Sequence, residues 1–353
     1  MTCTLDIYTD YLLSSTGPTT ATGLSKLYDG AISHDQVTRL LTNSYLDSKD
    51  LWLKSKPLIR AAEQTQAPDD FAVLIIDDSI LEKPHTDQNA MISTYWDHSQ
   101  QRYVNGLNFV SVLYQLANLS LPIAVTLMEK TITEWDAKAA KYKTRSEFTK
   151  NEYLRRMLQT AQQQVLYRYA LADSWYASAE NMNFVLGLDH HFIFALESSR
   201  TIAFSQDGQK QGQFQPLDAL TFPDKMPLQL YLRSVTQAVA VVKQIFINKD
   251  GSHGCLYLVS SDTSLDYDQM TTIYKRRWKV EEYHKSLKQN TSLGSSPTKT
   301  PDTQANHFFA SMLAYIKLEA LKIKCSIGHF RLKAQLYAVG LKAMHQQLAH
   351  LSA

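Results

Sequence analysis

Residues 71–79 read FAVLIIDDS, an apolar run of strand length that ends in two carboxylates, Asp77 and Asp78. A strand with one wet face alternates apolar and polar residues. A run this uniformly apolar is a strand buried on both faces, inside a sheet that helices cover from both sides. Three further segments continue the sheet. Arg102–Leu116 is β-branched and aromatic and is interrupted by Asn105-Gly106. Pro122–Met128 is a short apolar run. VLYRYALADSWYAS, residues 165–178, gives a strand that ends at Asp173, followed by a helix start at Ser178-Ala179-Glu180. The predicted class is α+β with an α/β core.

The remaining sequence sorts by period. Residues 1–65 read as a helical lobe in which Ser33 is an N-cap and Val37, Leu40, Leu41 and Tyr45 share a face. Two short helices around a Gly-containing turn form either a DNA-contacting helix-turn-helix or a lobe with no DNA contact. Lys138–Gln164 reads as a basic helical stretch. From Phe184 to Ser260 the pattern alternates and is punctuated by turn residues, a β-rich section. Asp266–Asn290 reads as one helix and Asn306–Lys324 as another, with a polar loop between them. The predicted organisation is a helical, DNA-binding lobe at 1–65, a core beginning at 66–185, a β-rich insertion at 186–262, core helices at 263–325 and a C-terminal helix at 326–353.

Composition removes several classes of function. Thirty-six Lys and Arg against 34 Asp and Glu leave a net charge of +2, so a nucleic-acid partner must be met by local basic patches. Cys3, Cys255 and Cys325 form no CxxC, which argues against a disulfide framework or a cysteine zinc site and fits a reducing cytosol. No stretch approaches the ~18 apolar residues of a membrane span, and the first residues lack the basic region of a signal peptide. There is no phosphate-binding GxxxxGK[ST] loop, so no use of ATP is expected. Asp189-His190-His191 lacks a further spaced ligand and reads as a polar strand end.

The carboxylates carry the chemistry. An Asp at a strand end either caps the next turn or projects into a site. Two such ends, at Asp77/Asp78 and Asp173, join a third acidic pair, Glu281-Glu282, inside a basic helix. Acidic residues converging from distant segments suit hard divalent cations, and two such cations can flank a phosphodiester. On that helix Tyr274, Arg277, Glu281 and Lys288 fall on one face. A Tyr/Arg/Glu/Lys stripe is either a solvated, salt-bridged face or a site. The Arg277–Glu281 pair alone contributes only ~0.3–0.5 kcal/mol and decides nothing.

The arrangement Y-x2-R-x3-E-x6-K formed by these four residues resembles the YREK signature of bacterial insertion-sequence transposases of the DDE type. IIDDSILEKP and ALADSWYAS are similar to that family's first-Asp and second-Asp strands, and the likeness spans roughly residues 70–320. The resemblance implies a ribonuclease-H-like mixed sheet flanked by helices, with a β-rich insertion before the Glu helix that helps to hold the transposon end. It implies Asp77, Asp173 and Glu281 as catalytic ligands of two Mg2+ ions, which Mn2+ can replace, with Asp78 as the alternative first ligand. Tyr274, Arg277 and Lys288 would contact DNA phosphates, with Lys83, Arg102, Lys275, Arg276 and Lys285 as weaker candidates. Trp278, Trp175 and Tyr176 would stack on a base or form wall. The implied partners are transposon-end duplex and target DNA, engaged by a homodimer in the bacterial cytoplasm at the nucleoid.

Overall fold

The computed structural model describes residues 1–98, 100–138, 140–247 and 250–351. The chain opens on helices α1 (Leu5–Ser14), α2 (Ala21–Leu27), α3 (His34–Asn43) and α4 (Ser48–Gln64). Strands β1 (Val73–Glu82), β2 (Ile92–Asp97), β3 (Arg102–Leu116) and β4 (Leu119–Leu127) follow. A hairpin, β5 (Ile132–Asp136) and β6 (Lys141–Arg145), leads to α5 (Lys150–Gln164), β7 (Tyr169–Ala172), α6 (Ala179–Gly187) and β8 (His191–Leu196). Next come β9 (Thr201–Ala203), α7 (Gln206–Lys210), β10 (Gln215–Pro216), β11 (Leu228–Leu232), β12 (Val239–Ile247) and β13 (His253–Ser260). The chain closes with α8 (Tyr267–Lys275), α9 (Lys279–Asn290), α10 (Pro301–Cys325) and α11 (His329–Leu351).

The sheet is 11-stranded, in the order β10-β9-β11-β12-β13-β8-β7-β1-β3-β2, with β4 also on β3. β1 pairs antiparallel with β3 along its whole length but parallel with β7 only at Val73–Ile75. β7 in turn runs parallel to β8. Residues Val73–Ile76 are fully buried, as a strand covered on both faces must be. This antiparallel trio joined by helices to two parallel strands is a mixed α+β architecture of the ribonuclease-H-like kind.

Ser33 caps α3 as expected: its Oγ accepts from Gln36 N–H, and the Gln36 side chain returns to Ser33 N–H, each at 3.3 Å. Tyr8, Leu12, Leu24, Ile32, Val37 and Leu41 form a small core with Ala310, Ala314 and Leu318 of α10. α4 instead sends Leu51 and Ile59 into the main core. Among the described residues no helix is long and apolar enough to cross a membrane.

Four sequence readings are corrected. The first strand does not end at Asp78 but runs on to Glu82, because β3 continues to pair with it there. The basic stretch at 138–164 is helical only from Lys150; Thr149 and Glu152 form the capping box that starts α5. Before it, cross-strand pairing of Trp135 with Tyr142 and of Glu134 with Lys143 makes a hairpin. Phe184–Gly187 belongs to α6, not to a strand. The long helix at 266–290 is broken by a 3-10 turn at Arg276–Trp278. The β-rich section itself is continuous with the core sheet, since β13 pairs antiparallel with β8.

Gly106 marks where β3 presses against the end of β1. A Cβ there would stand 2.4 Å from the Leu81 carbonyl oxygen, which is backbone and cannot swing away. Gly106→Ala should therefore cost roughly 1–3 kcal/mol of stability, the usual penalty of overpacking. A denaturant titration checks this; an unchanged midpoint would show that the two backbones are not pressed together.

Candidate active site

β1 and β7 part company just where the carboxylates begin. Their register pairs Ile75 with Leu171, so two residues on Asp77 is level with Asp173. Asp173 leaves β7 and caps a 3-10 turn, Ser174–Tyr176, accepting from Trp175 N–H at 3.1 Å. Capping and facing the site are thus both true of it. α9 lies over this gap and brings Glu281. Arg277, in the 3-10 turn before α9, spans the two chains of acid. Its Nη1 is 3.8 Å from Asp77 Oδ2 and its Nη2 is 3.4 Å from Glu281 Oε1. The Asp77 and Arg277 side chains are only 14% and 17% exposed.

The electrostatics follow from this crowding. Burial, then the charges of Asp173, Glu281 and Asp78, push the Asp77 carboxyl up to about 8, against the pull of Arg277. Burial also raises Asp173, opposed by Arg277 and by the N–H groups of Tyr176 and Trp175. Asp78 is differently placed. Its Oδ2 is 2.5 Å from Lys150 Nζ, and its Oδ1 accepts from the Tyr176 hydroxyl at 2.9 Å. Alternation along β1 points the neighbours apart, and Asp78 is committed to α5 while Asp77 faces α9.

The other residues singled out in the sequence divide. Tyr274 is buried, and its hydroxyl donates to the Ala172 carbonyl at 3.3 Å, immediately before Asp173. Lys288 is exposed on the far end of the α9 face, within the fields of Asp97, Glu281 and Glu82. Lys275 and Lys285 are exposed, the latter 5.2 Å over the Phe330 ring. Arg102 is ion-paired to Glu82 at 2.6 Å. Lys83 donates to the carbonyls of Gly294 and Ser296, each at 3.4 Å.

Arg276 requires correction as a phosphate candidate. It donates to Gln115 Oε1 at 2.5 Å, to the Phe71 carbonyl at 2.9 Å and to the Gln115 carbonyl at 3.0 Å. These groups lie at the end of β1 and β3 opposite the carboxylates, so Arg276 ties the helix to the sheet. Trp175 and Trp278 are 51% and 62% exposed, whereas Tyr176 is fully buried and forms wall.

Two residues escaped the sequence reading. Lys150 had no local signal, since its partner Asp78 lies 72 positions away in the chain. His284 did have one: it follows Glu281 by three residues and so shares its face. One ligand atom each from Asp77, Glu281 and His284 lie within 4.8 Å of one another. Oxygen donors from separate elements, crowded enough to raise one another's affinity for protons, fit a divalent cation, whose charge relieves that repulsion.

Residues 1–213 match the model of a family described as DDE superfamily endonuclease. The match covers more than half of the chain, and the protein belongs to that family. Its members act on DNA and generally use divalent metal ions. The match takes in Asp77 and Asp173 and stops before α9, so Glu281 joins the site through the fold. No curated protein matches the chain.

The raised Asp77 carboxyl has a thermodynamic consequence. Between about pH 4 and 8 the native state keeps a proton that the unfolded state has lost. In the presence of chelator, stability should therefore fall as pH rises through that window, and Asp77→Asn should remove the fall. Melting temperature against pH, wild type beside variant, reads it. Parallel curves would mean that Asp77 does not feel its neighbours.

Proposed function

We propose that the chain is a DNA transposase of the insertion-sequence type. It binds the terminal inverted repeats of its element, cleaves the DNA ends and joins them to target DNA. One observation carries the reading: Asp77 of β1 and Glu281 of α9 bring carboxylate oxygens within 4.8 Å of each other, bridged by Arg277, while Asp173 at the end of β7 lies near enough for its charge to raise the Asp77 carboxyl. Asp77, Asp173 and Glu281 would hold two Mg2+ or Mn2+ ions, which supply activation of a water or 3′-hydroxyl and stabilisation of the leaving oxygen.

The chain's own residues set the rest. Arg277 offers a guanidinium beside the cluster, suited to a phosphate next to the scissile one. Lys288, 11 residues on from Arg277, extends that positive face by about three helical turns. Tyr274 holds the end of β7 through Ala172 and so positions Asp173. Trp175 and Trp278, each next to a site residue and each exposed, present faces on which a displaced base can stack. The N-terminal lobe carries no basic excess: over residues 1–65 seven Asp and Glu stand against six Lys and Arg. We therefore centre DNA contact on the α9 face. The substrate requires two ends to be processed together, which favours a homodimer on the DNA.

A nuclease of the same fold would cut but not join. Incubating protein, Mg2+ and a cut element end with target plasmid separates the two, since only a transposase yields a covalent end–target product. Asp173→Asn should abolish cleavage of supercoiled donor while leaving end binding intact; a variant that still cleaves would remove Asp173 from the chemistry. Lys288→Ala should weaken binding of a labelled end and lower the slope of log affinity against log salt by about one. An unchanged slope with unchanged melting temperature would return Lys288 to a solvated surface.

A further inference from the structure

We propose that His284 is a metal ligand, supplying a nitrogen donor to the position bounded by Asp77 and Glu281. The inference rests on the metal-dependent reading above. It makes the site a mixed oxygen–nitrogen site instead of an all-carboxylate one.

Three observations lead there. An imidazole nitrogen of His284 stands with a carboxylate oxygen of Asp77 and one of Glu281 in a set of atoms all within 4.8 Å of one another. The residue is only 7% exposed. Its Nε2 is buried and has no hydrogen-bond partner among the described residues. A buried polar nitrogen left unpartnered costs free energy, and such groups are rare in native structures unless something else meets them.

Packing holds the ring in place. Phe109 meets it edge-on, with centroids 5.6 Å apart and planes at 90°, and Tyr283 lies 5.2 Å away on the same helix. These contacts fix where the ring points. The competing account is that His284 is simply part of this aromatic wall. The two differ in what they say about metals. A wall residue is indifferent to the ion, whereas an imidazole ligand favours Mn2+ over Mg2+ or Ca2+, which take oxygen.

Pulsed electron paramagnetic resonance of the full-length protein loaded with Mn2+ tests the assignment. The expected wild-type spectrum shows a directly coordinated nitrogen. His284→Gln should lose that coupling and bind Mn2+ at least about tenfold more weakly, while its affinity for Ca2+ changes little. Bound Mn2+ with no nitrogen coupling in the wild type overturns the proposal, and this result needs no variant to fold. A coupling that persists in His284→Gln overturns it equally. Asp77→Asn locates the failure: if Mn2+ binding is lost there but nitrogen is absent, His284 is wall and the carboxylate site stands. If Asp77→Asn binds Mn2+ as the wild type does, the carboxylate site itself falls.

Discussion

Like charges held close together are the constraint on which this molecule is organised. Asp77, Asp173 and Glu281 come from three elements, and each would be more stable in water than beside the others. The fold overcomes this by making each carboxylate a by-product of something else it needs. Asp77 follows directly on the fully buried run Val73–Ile76 of β1. Asp173 caps the turn that ends β7. Glu281 rides on a helix anchored by Tyr283 and Leu287 in the core. Arg277 then bridges two of the three acids, a partial neutralisation that leaves Asp77 still reluctant to ionise.

The split between β1 and β7 provides the space. β3 follows β1 to Glu82, while the parallel pairing on the other side stops at Ile75. Beyond that point the sheet opens on one side only, and the two carboxylates of β1 face different neighbours across it. Lys150 and Tyr176 take up Asp78, so Asp77 alone is left for the α9 side. Arg276 and Arg277 repeat the same economy. Adjacent on one 3-10 turn, they point about 120° apart, and one fastens the helix to the sheet while the other enters the site.

What the sequence showed, and what it hid, follows from where each signal is stored. β1 was legible because burial on both faces leaves an unbroken apolar run. The face of Tyr274, Arg277, Glu281 and Lys288 was legible because helical spacing is local. It overstated Tyr274, whose spacing fits the site but whose hydroxyl is turned into the fold. The β5–β6 hairpin was hidden because its exposed Lys, Thr and Glu residues carry no apolar alternation; only its cross-strand partners reveal it. Lys150 was hidden because its partner is distant in the chain. His284 was hidden in plain view, since a histidine among aromatic residues reads as packing.

The central claim is that the three carboxylates form one divalent-metal site. Crystals soaked in Mn2+ and measured at a wavelength where manganese scatters anomalously test it most directly. The account predicts an anomalous peak in contact with Asp77 and Glu281, with Asp173 in contact with it or with a second peak beside it. Well-ordered carboxylates bonded only to Arg277, with manganese elsewhere or nowhere, would contradict it.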